Sequence, residues 1–285
     1  MTQIYVFPGQ GSQKLGMGEE LFDKYPDIVA TADKILGYSI KTLCLEDPEG
    51  NLNKTEFTQP ALYVVNALHY MAEIETGPKA DFLAGHSLGE ISALYASGAL
   101  TFEDGLTIVK ERGSLMSQEQ GGGMAAVIGL SSEKISESLR ANNLDKIDLA
   151  NFNSPMQTVI SGDEAQIKES ISILKEAGAR LVIQLKVSGA FHSRFMANAQ
   201  AKFKKFLTTF SINKNSIPVI SNITGKPYDL ENFIDTLAGQ LTESVQWTSS
   251  IQYLLAKDTP EIKEIGPGKV LTGLLKKIKT EKTSA

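Results

Sequence analysis

Apolar residues along the chain fall into two patterns that alternate, short unbroken runs and longer stretches with helical spacing. Ile4 to Phe7 is a short run ended by Pro8-Gly9-Gln10-Gly11, the signature of a buried strand entering a tight loop. Thr58 is a capping type, Pro60 follows near the first turn, and Ala61, Val64, Val65, Leu68 and Met71 recur at helical spacing, which predicts an amphipathic helix. Asp81 to Ala84 predicts a second short strand, and Leu88 to Ala96, beyond Gly85, has helix-forming composition.

Gly121-Gly122-Gly123 suits a flexible junction better than the interior of an element. Beyond it the pattern predicts a strand (Met124 to Leu130), a helix (Glu133 to Ala141), strands at Ile147 to Asn151 and Thr158 to Ser161, a helix (Glu164 to Glu176) and a strand (Leu181 to Val187). That order, βαββαβ, is the ferredoxin-like arrangement. Further strand-like runs, Ile217 to Ser221 and Glu261 to Ile265, alternate with helical segments, as a parallel sheet covered by helices requires. The expected fold is therefore an α/β core with a parallel sheet, residues 1–120 and 189–285, interrupted by a ferredoxin-like subdomain of residues 121–188.

With 285 residues the chain can bury a substantial core, and 42% hydrophobic against 21% charged residues is ordinary globular usage. A net charge of -5 gives no basic footprint of the kind that nucleic-acid binding leaves. The single cysteine, Cys44, can form neither an internal disulfide nor a multi-cysteine metal site, which fits a reducing compartment. No basic and apolar leader precedes the first strand, and no apolar run approaches the ~20 residues of a membrane span. A soluble, cytoplasmic protein with no nucleic-acid or membrane partner is expected.

Gly85-His86-Ser87-Leu88-Gly89 matches the G-x-S-x-G nucleophile elbow, in which glycines flanking a strand-to-helix turn make room for an exposed serine. A serine there sits at a helix N-terminus, so the backbone N–H of Leu88 can point at a developing oxyanion. The alternative is a glycine-bounded turn with an incidental serine, but the strand before it and the helix after it are what the elbow demands. Ser87 needs a base, and the chain has three histidines. His86 diverges from its neighbour, and His69 lies mid-helix beside Leu68 and Tyr70. His192, in the loop Ser188-Gly189-Ala190-Phe191-His192, remains by elimination, although sequence alone leaves its distance from Ser87 open.

Five motifs occur in an order that resembles the malonyl-CoA:acyl-carrier-protein transacylase family, in particular the free-standing acyltransferases that serve polyketide synthases in trans. They are Phe7-Pro8-Gly9-Gln10-Gly11-Ser12-Gln13, Thr58-Gln59-Pro60-Ala61-Leu62, Gly85-His86-Ser87-Leu88-Gly89-Glu90, Ala190-Phe191-His192-Ser193 and Gly266-Pro267-Gly268-Lys269-Val270-Leu271. The resemblance covers essentially the whole chain. It implies the same interrupted α/β fold, Ser87 as the acylated residue, His192 as its base, and an oxyanion hole from the N–H groups of Gln10 and Leu88. The base would be oriented by the backbone carbonyl of Gln240, so that changing the Gln240 side chain should matter less than changing His192. Gln59 would line the site, with helix capping as its structural alternative. Phe191 would favour malonyl over methylmalonyl by steric crowding, with loop packing as its alternative.

Arg112 matches the residue that pairs with the malonyl carboxylate, and a planar guanidinium can hold a carboxylate bidentately. Without the resemblance, Arg112 would be read as a solvated helix residue. The implied reaction moves malonyl from malonyl-CoA through a Ser87 ester to the phosphopantetheine thiol of an acyl carrier protein, in polyketide or fatty acid biosynthesis, with no metal and no resident cofactor. Lys202, Lys204, Lys205, Lys276, Lys277, Lys279 and Lys282 could attract an acidic carrier protein or CoA phosphates, a solvated face being the default for each. The competing readings are an acyl hydrolase of the same fold, an ordinary α/β-hydrolase esterase, and an inactive carrier-binding module.

Overall fold

The computed structural model describes residues 1–214 and 216–281. The chain enters through β1 (Thr2–Phe7), then α1 (Glu19–Phe22), α2 (Pro26–Leu36), α3 (Ile40–Leu45) and the long α4 (Thr55–Thr76). Next come β2 (Phe82–Gly85), α5 (Gly89–Ala96) and α6 (Phe102–Gln118). A second unit follows as β3 (Gly122–Ile128), α7 (Ser132–Ala141), β4 (Ile147–Ser154), β5 (Gln157–Asp163), α8 (Glu164–Glu176) and β6 (Leu181–Gln184). The chain then returns through α9 (Ala197–Leu207), β7 (Val219–Ile220), α10 (Phe233–Gly239), α11 (Trp247–Leu255), β8 (Pro260–Glu264) and α12 (Val270–Thr280).

Two four-stranded sheets result. The first, β7-β2-β1-β8, is wholly parallel, with Ile4 opposite both Phe82 and Ile262. Ile4, Tyr5, Val6 and Phe7 are all buried because helices cover both faces, which is why β1 reads as an unbroken apolar run. The second sheet, β4-β5-β3-β6, is antiparallel, and α7 and α8 supply Ile135, Leu139, Ile167 and Leu174 to a separate small core. Its βαββαβ order is the expected ferredoxin-like one. No helix among the described residues is long and apolar enough to cross a membrane.

The structure corrects several local expectations. Helix α4 begins at Thr55, not at Thr58. Thr58 is inside the helix, where its hydroxyl donates to the carbonyls of Leu52 and Lys54, and Pro60 is an internal proline. Pro60 lies beyond the four N–H groups that have no helical partner, so it gives up the bond its N–H would have made to the Glu56 carbonyl in the first turn. Gly122 and Gly123 are not a flexible junction but the first residues of β3, paired with Asp163 and Gly162. A Cβ on Gly122 would sit 2.5 Å from that of Ala190, so the missing side chain lets β3 start against the loop that carries His192. Strands β6 and β7 are shorter than predicted, ending at Gln184 and spanning only Val219–Ile220.

Helices α4 and α6 pack closely. A Cβ on Gly113 would lie 3.2 Å from the backbone of Thr55 and Glu56, so glycine here lets α6 approach the start of α4. The neighbouring residue, Arg112, is carried inward by that approach and is 1% exposed.

Candidate active site

Strands β7, β2 and β1 are adjacent and parallel, so the loops at their carboxyl ends converge, the usual location of a site in an open α/β sheet. Gln10 follows β1, Ser87 follows β2 and Asn222 follows β7. Close packing at the elbow depends on glycine. A Cβ on Gly89 would come within 2.0 Å of the Phe7 carbonyl oxygen, and one on Gly9 within 2.2 Å of the His86 carbonyl oxygen. The Gln10 loop and α5 can therefore lie directly against the turn.

Ser87 has φ of 51°, left-handed backbone that costs a non-glycine residue of order 1–3 kcal/mol. Both of its backbone polar groups are clamped. Its N–H donates to Asn222 Oδ1 at 2.7 Å, and its carbonyl accepts from Gln240 Nε2 at 3.0 Å. Asn222 Nδ2 also donates to the Gly85 carbonyl at 2.6 Å, so one side chain bridges the strand end and the elbow.

Ser87 Oγ lies 2.8 Å from His192 Nε2, and His192 Nδ1 lies 2.7 Å from the Gln240 carbonyl oxygen. A carbonyl only accepts, so Nδ1 carries the proton and Nε2 is free to accept from the serine. Burial, and then the nearby Arg112 charge, push His192 down to about 3, leaving the ring neutral at neutral pH. Among the described residues no group bonds the backbone N–H of Gln10 or Leu88, and both residues line the same cleft as Ser87.

Arg112 is no solvated helix residue. Its guanidinium donates to Gln59 Oε1 at 2.7 Å, Gln240 Oε1 at 2.7 Å and Ser87 Oγ at 3.2 Å. All three acceptors are neutral. Burial lowers Arg112 to about 10, with the Glu90 charge opposing, so it stays cationic at neutral pH. Gln59 is 1% exposed on α4, with Nε2 on Met116 Sδ at 3.4 Å, and it holds the arginine instead of capping its helix. Phe191 is 5% exposed, belongs to the main hydrophobic cluster and also lines the cleft, so packing and pocket shape fall to one ring.

Gln240 is engaged through both its backbone and its side chain. Its carbonyl faces His192, but its side chain is equally engaged, with Oε1 accepting from Arg112 and Nε2 donating to Ser87 O and Glu90 Oε2. Sequence reasoning also passed over Asn222 and left Glu90 without a role. Asn222 stands two residues beyond a strand end, the one local signal that could have marked it. Of the other histidines, His86 bonds Asn153 Oδ1 of β4 at 2.8 Å and packs on Trp247, and His69 sits on α4 away from the cleft.

The cleft of about 270 Å³ runs between the two sheets. It is lined by Ser87, Arg112 and Gln59, by Met124 of β3, Val159 of β5 and Leu185 just beyond β6, and by Leu271 and Leu274 of α12. Of the lysines noted in the sequence, Lys204 pairs with Asp235 and Lys277 donates to Gln157, Lys202, Lys205, Lys276 and Lys279 are exposed, and Lys282 lies outside the described residues.

Residues 4–277 match the family model described as the acyl transferase domain. The chain is 53% identical over 279 residues to the polyketide biosynthesis malonyl CoA-acyl carrier protein transacylase PksC of Bacillus subtilis, covering 97% of each protein. Among solved structures it is similar to the malonyl CoA-acyl carrier protein transacylase of Burkholderia pseudomallei, at a TM-score of 0.96 and 45% identity over 99% of each chain. It also resembles a malonyl-transacylase solved in complex with its type II polyketide acyl-carrier protein, at a TM-score of 0.93 and 35% identity over 98% of this chain and 93% of that one. With a catalytic-type serine on a strained elbow, a buried histidine beside it and a family match over nearly its full length, the chain belongs to the acyl transferase domain family.

Proposed function

We propose that the chain is a malonyl-CoA:acyl-carrier-protein transacylase, with Ser87 as nucleophile and His192 as general base, working in polyketide or fatty acid biosynthesis. The carrying observation is the buried Arg112 guanidinium, 3.2 Å from Ser87 Oγ, with hydrogen bonds only to neutral groups. A buried cation of this kind suits an acyl group that ends in a carboxylate. The names of the relatives point to the same substrate, and the 53% identical protein favours the polyketide setting.

In the first half-reaction Ser87 Oγ attacks the thioester carbonyl of malonyl-CoA while its proton passes to His192 Nε2. The N–H groups of Gln10 and Leu88 receive the developing oxyanion. The C–S bond then breaks, and His192 returns the proton to the departing CoA thiolate. In the second half the carrier's phosphopantetheine thiol gives its proton to His192 and attacks the Ser87 ester, and Ser87 leaves with that proton. No electrons are exchanged, so the scheme invokes no resident cofactor.

CoA thioesters and a lone buried thiol, Cys44, suit a cytoplasmic location. The two sheets with separate cores support a division into a catalytic core, residues 1–120 and 189–285, and an inserted subdomain, residues 121–188.

Intact-protein mass spectrometry after mixing with malonyl-CoA, followed by addition of a holo carrier protein, tests the scheme. The expected result is a malonyl adduct that moves to the carrier, no adduct on Ser87→Ala, and acylation slowed roughly 10²- to 10⁴-fold in His192→Ala. An adduct on Ser87→Ala would remove the nucleophile, and hydrolysis outrunning carrier transfer would make the protein a hydrolase.

A further inference from the structure

Glu90 is a buried acid with no part in the scheme above. It lies one helical turn beyond Ser87, is 1% exposed and does not line the cleft. Both of its oxygens are used. Oε2 accepts from Gln240 Nε2 and Oε1 from the backbone N–H of Asn222 at 3.2 Å.

We infer that Glu90 is a positioning residue for acyl-group selection, its carboxylate setting the orientation of the Gln240 carboxamide and thereby the placement of Arg112 beside Ser87. The inference rests on the malonyl reading of the site. A carboxamide has one donor end and one acceptor end. At Gln240 the donor end meets two acceptors, the Ser87 carbonyl and Glu90, so the acceptor end is left for Arg112. Turning the amide over would set oxygen against both acceptors and NH₂ against the guanidinium. Replacing the carboxylate by an amide removes half of that constraint. It also leaves one acceptor where Glu90 uses two.

The consequence spares the contact to His192. Gln240 reaches His192 through its backbone carbonyl, which does not depend on how the amide is turned. Asn222 keeps its own side-chain orientation through Ser87 N–H and the Gly85 carbonyl. Disturbing Glu90 should therefore disturb carboxylate recognition more than serine activation.

The test is single-turnover acylation of Glu90→Gln and Glu90→Asp by malonyl-CoA and acetyl-CoA, near pH 8, above the value of about 7 to which burial pushes Glu90. Malonyl efficiency in Glu90→Gln should fall roughly ten- to a hundredfold while acetyl efficiency changes by less than about threefold. Glu90→Asp, which keeps the charge but is one methylene too short to hold the Gln240 amide, should show the same selective loss in smaller measure. Equal losses for the two donors in folded Glu90→Gln would overturn the inference. If that variant does not fold, an unchanged malonyl-to-acetyl ratio in Glu90→Asp would overturn it instead. Absence of malonylation in the unsubstituted protein would mark failure of the malonyl reading, a different outcome from either.

Discussion

At the scale of single residues, the site depends on polar side chains that each have more than one partner. Arg112 touches Gln59, Gln240 and Ser87, and Gln240 touches Arg112, Ser87, Glu90 and, through its carbonyl, His192. Arg112→Ala removes a charge-assisted partner worth ~1.5–3 kcal/mol to a bound carboxylate and leaves that carboxylate poorly solvated. Malonyl efficiency should therefore fall by about one to two orders of magnitude more than acetyl efficiency. Acyl transfer measured for both donors, with hydrolysis counted in parallel, decides the matter, and equal losses would take Arg112 out of substrate recognition. Truncating Gln240 should slow both donors, because the same change strips a neighbour from Arg112 and a clamp from Ser87, and acylation rates of Gln240→Ala and His192→Ala measured side by side check whether it costs less than loss of the histidine.

At the scale of elements, the elbow is a packing arrangement of β1, β2 and α5 before it is a chemical device. Helix α5 runs so close to β1 that a side chain on Gly89 has no room, its Cβ falling 2.0 Å from the Phe7 oxygen. Backbone atoms cannot rotate aside as a flexible side chain can. Gly89→Ala should therefore push α5 outward, cost about 1–3 kcal/mol and misalign Ser87 with His192. Chemical denaturation together with Ser87 labelling by a fluorophosphonate checks both halves. Full stability with normal labelling would show that the close approach is not required.

At the scale of the whole molecule, burial of a neutral histidine ties stability to pH. His192 titrates at about 3 in the folded chain, against about 6.5 when unfolded. Between those values the unfolded chain binds the extra proton, so this residue's contribution is fully present above about pH 6.5 and is lost as pH falls toward 3. From pH 7 to 5 that loss is about 2 kcal/mol. The raised Glu90 works in the opposite sense, favouring the folded state as pH falls from about 7. The clean measurement is a comparison of slopes, in which His192→Ala should lose less stability than the unsubstituted protein between pH 7 and 5. Parallel slopes would mean that His192 is not buried in its neutral form.

Most strands, the βαββαβ unit and the serine turn were legible in the sequence because they depend on neighbours along the chain, whereas the candidate base emerged by elimination among three histidines and helices α1 to α3 were not anticipated. Hydrophobic periodicity reports the face an element buries, and Gly85 and Gly89 report a turn too tight for side chains. Boundaries were less legible. Thr58 has the chemistry of a cap, but α4 starts a turn earlier, and the glycines at 122 and 123 suited a hinge until strand pairing claimed them. Tertiary structure alone decided the environment of the polar residues. Arg112 meets Gln240 across 128 positions, Ser87 meets Asn222 across 135, and Gln240 meets Glu90 across 150. Local pattern is silent at such separations. A helical arginine looks the same in sequence whether it faces water or a serine, and only the packing of α6 on α4 and the convergence of three strand ends turned these side chains toward one another.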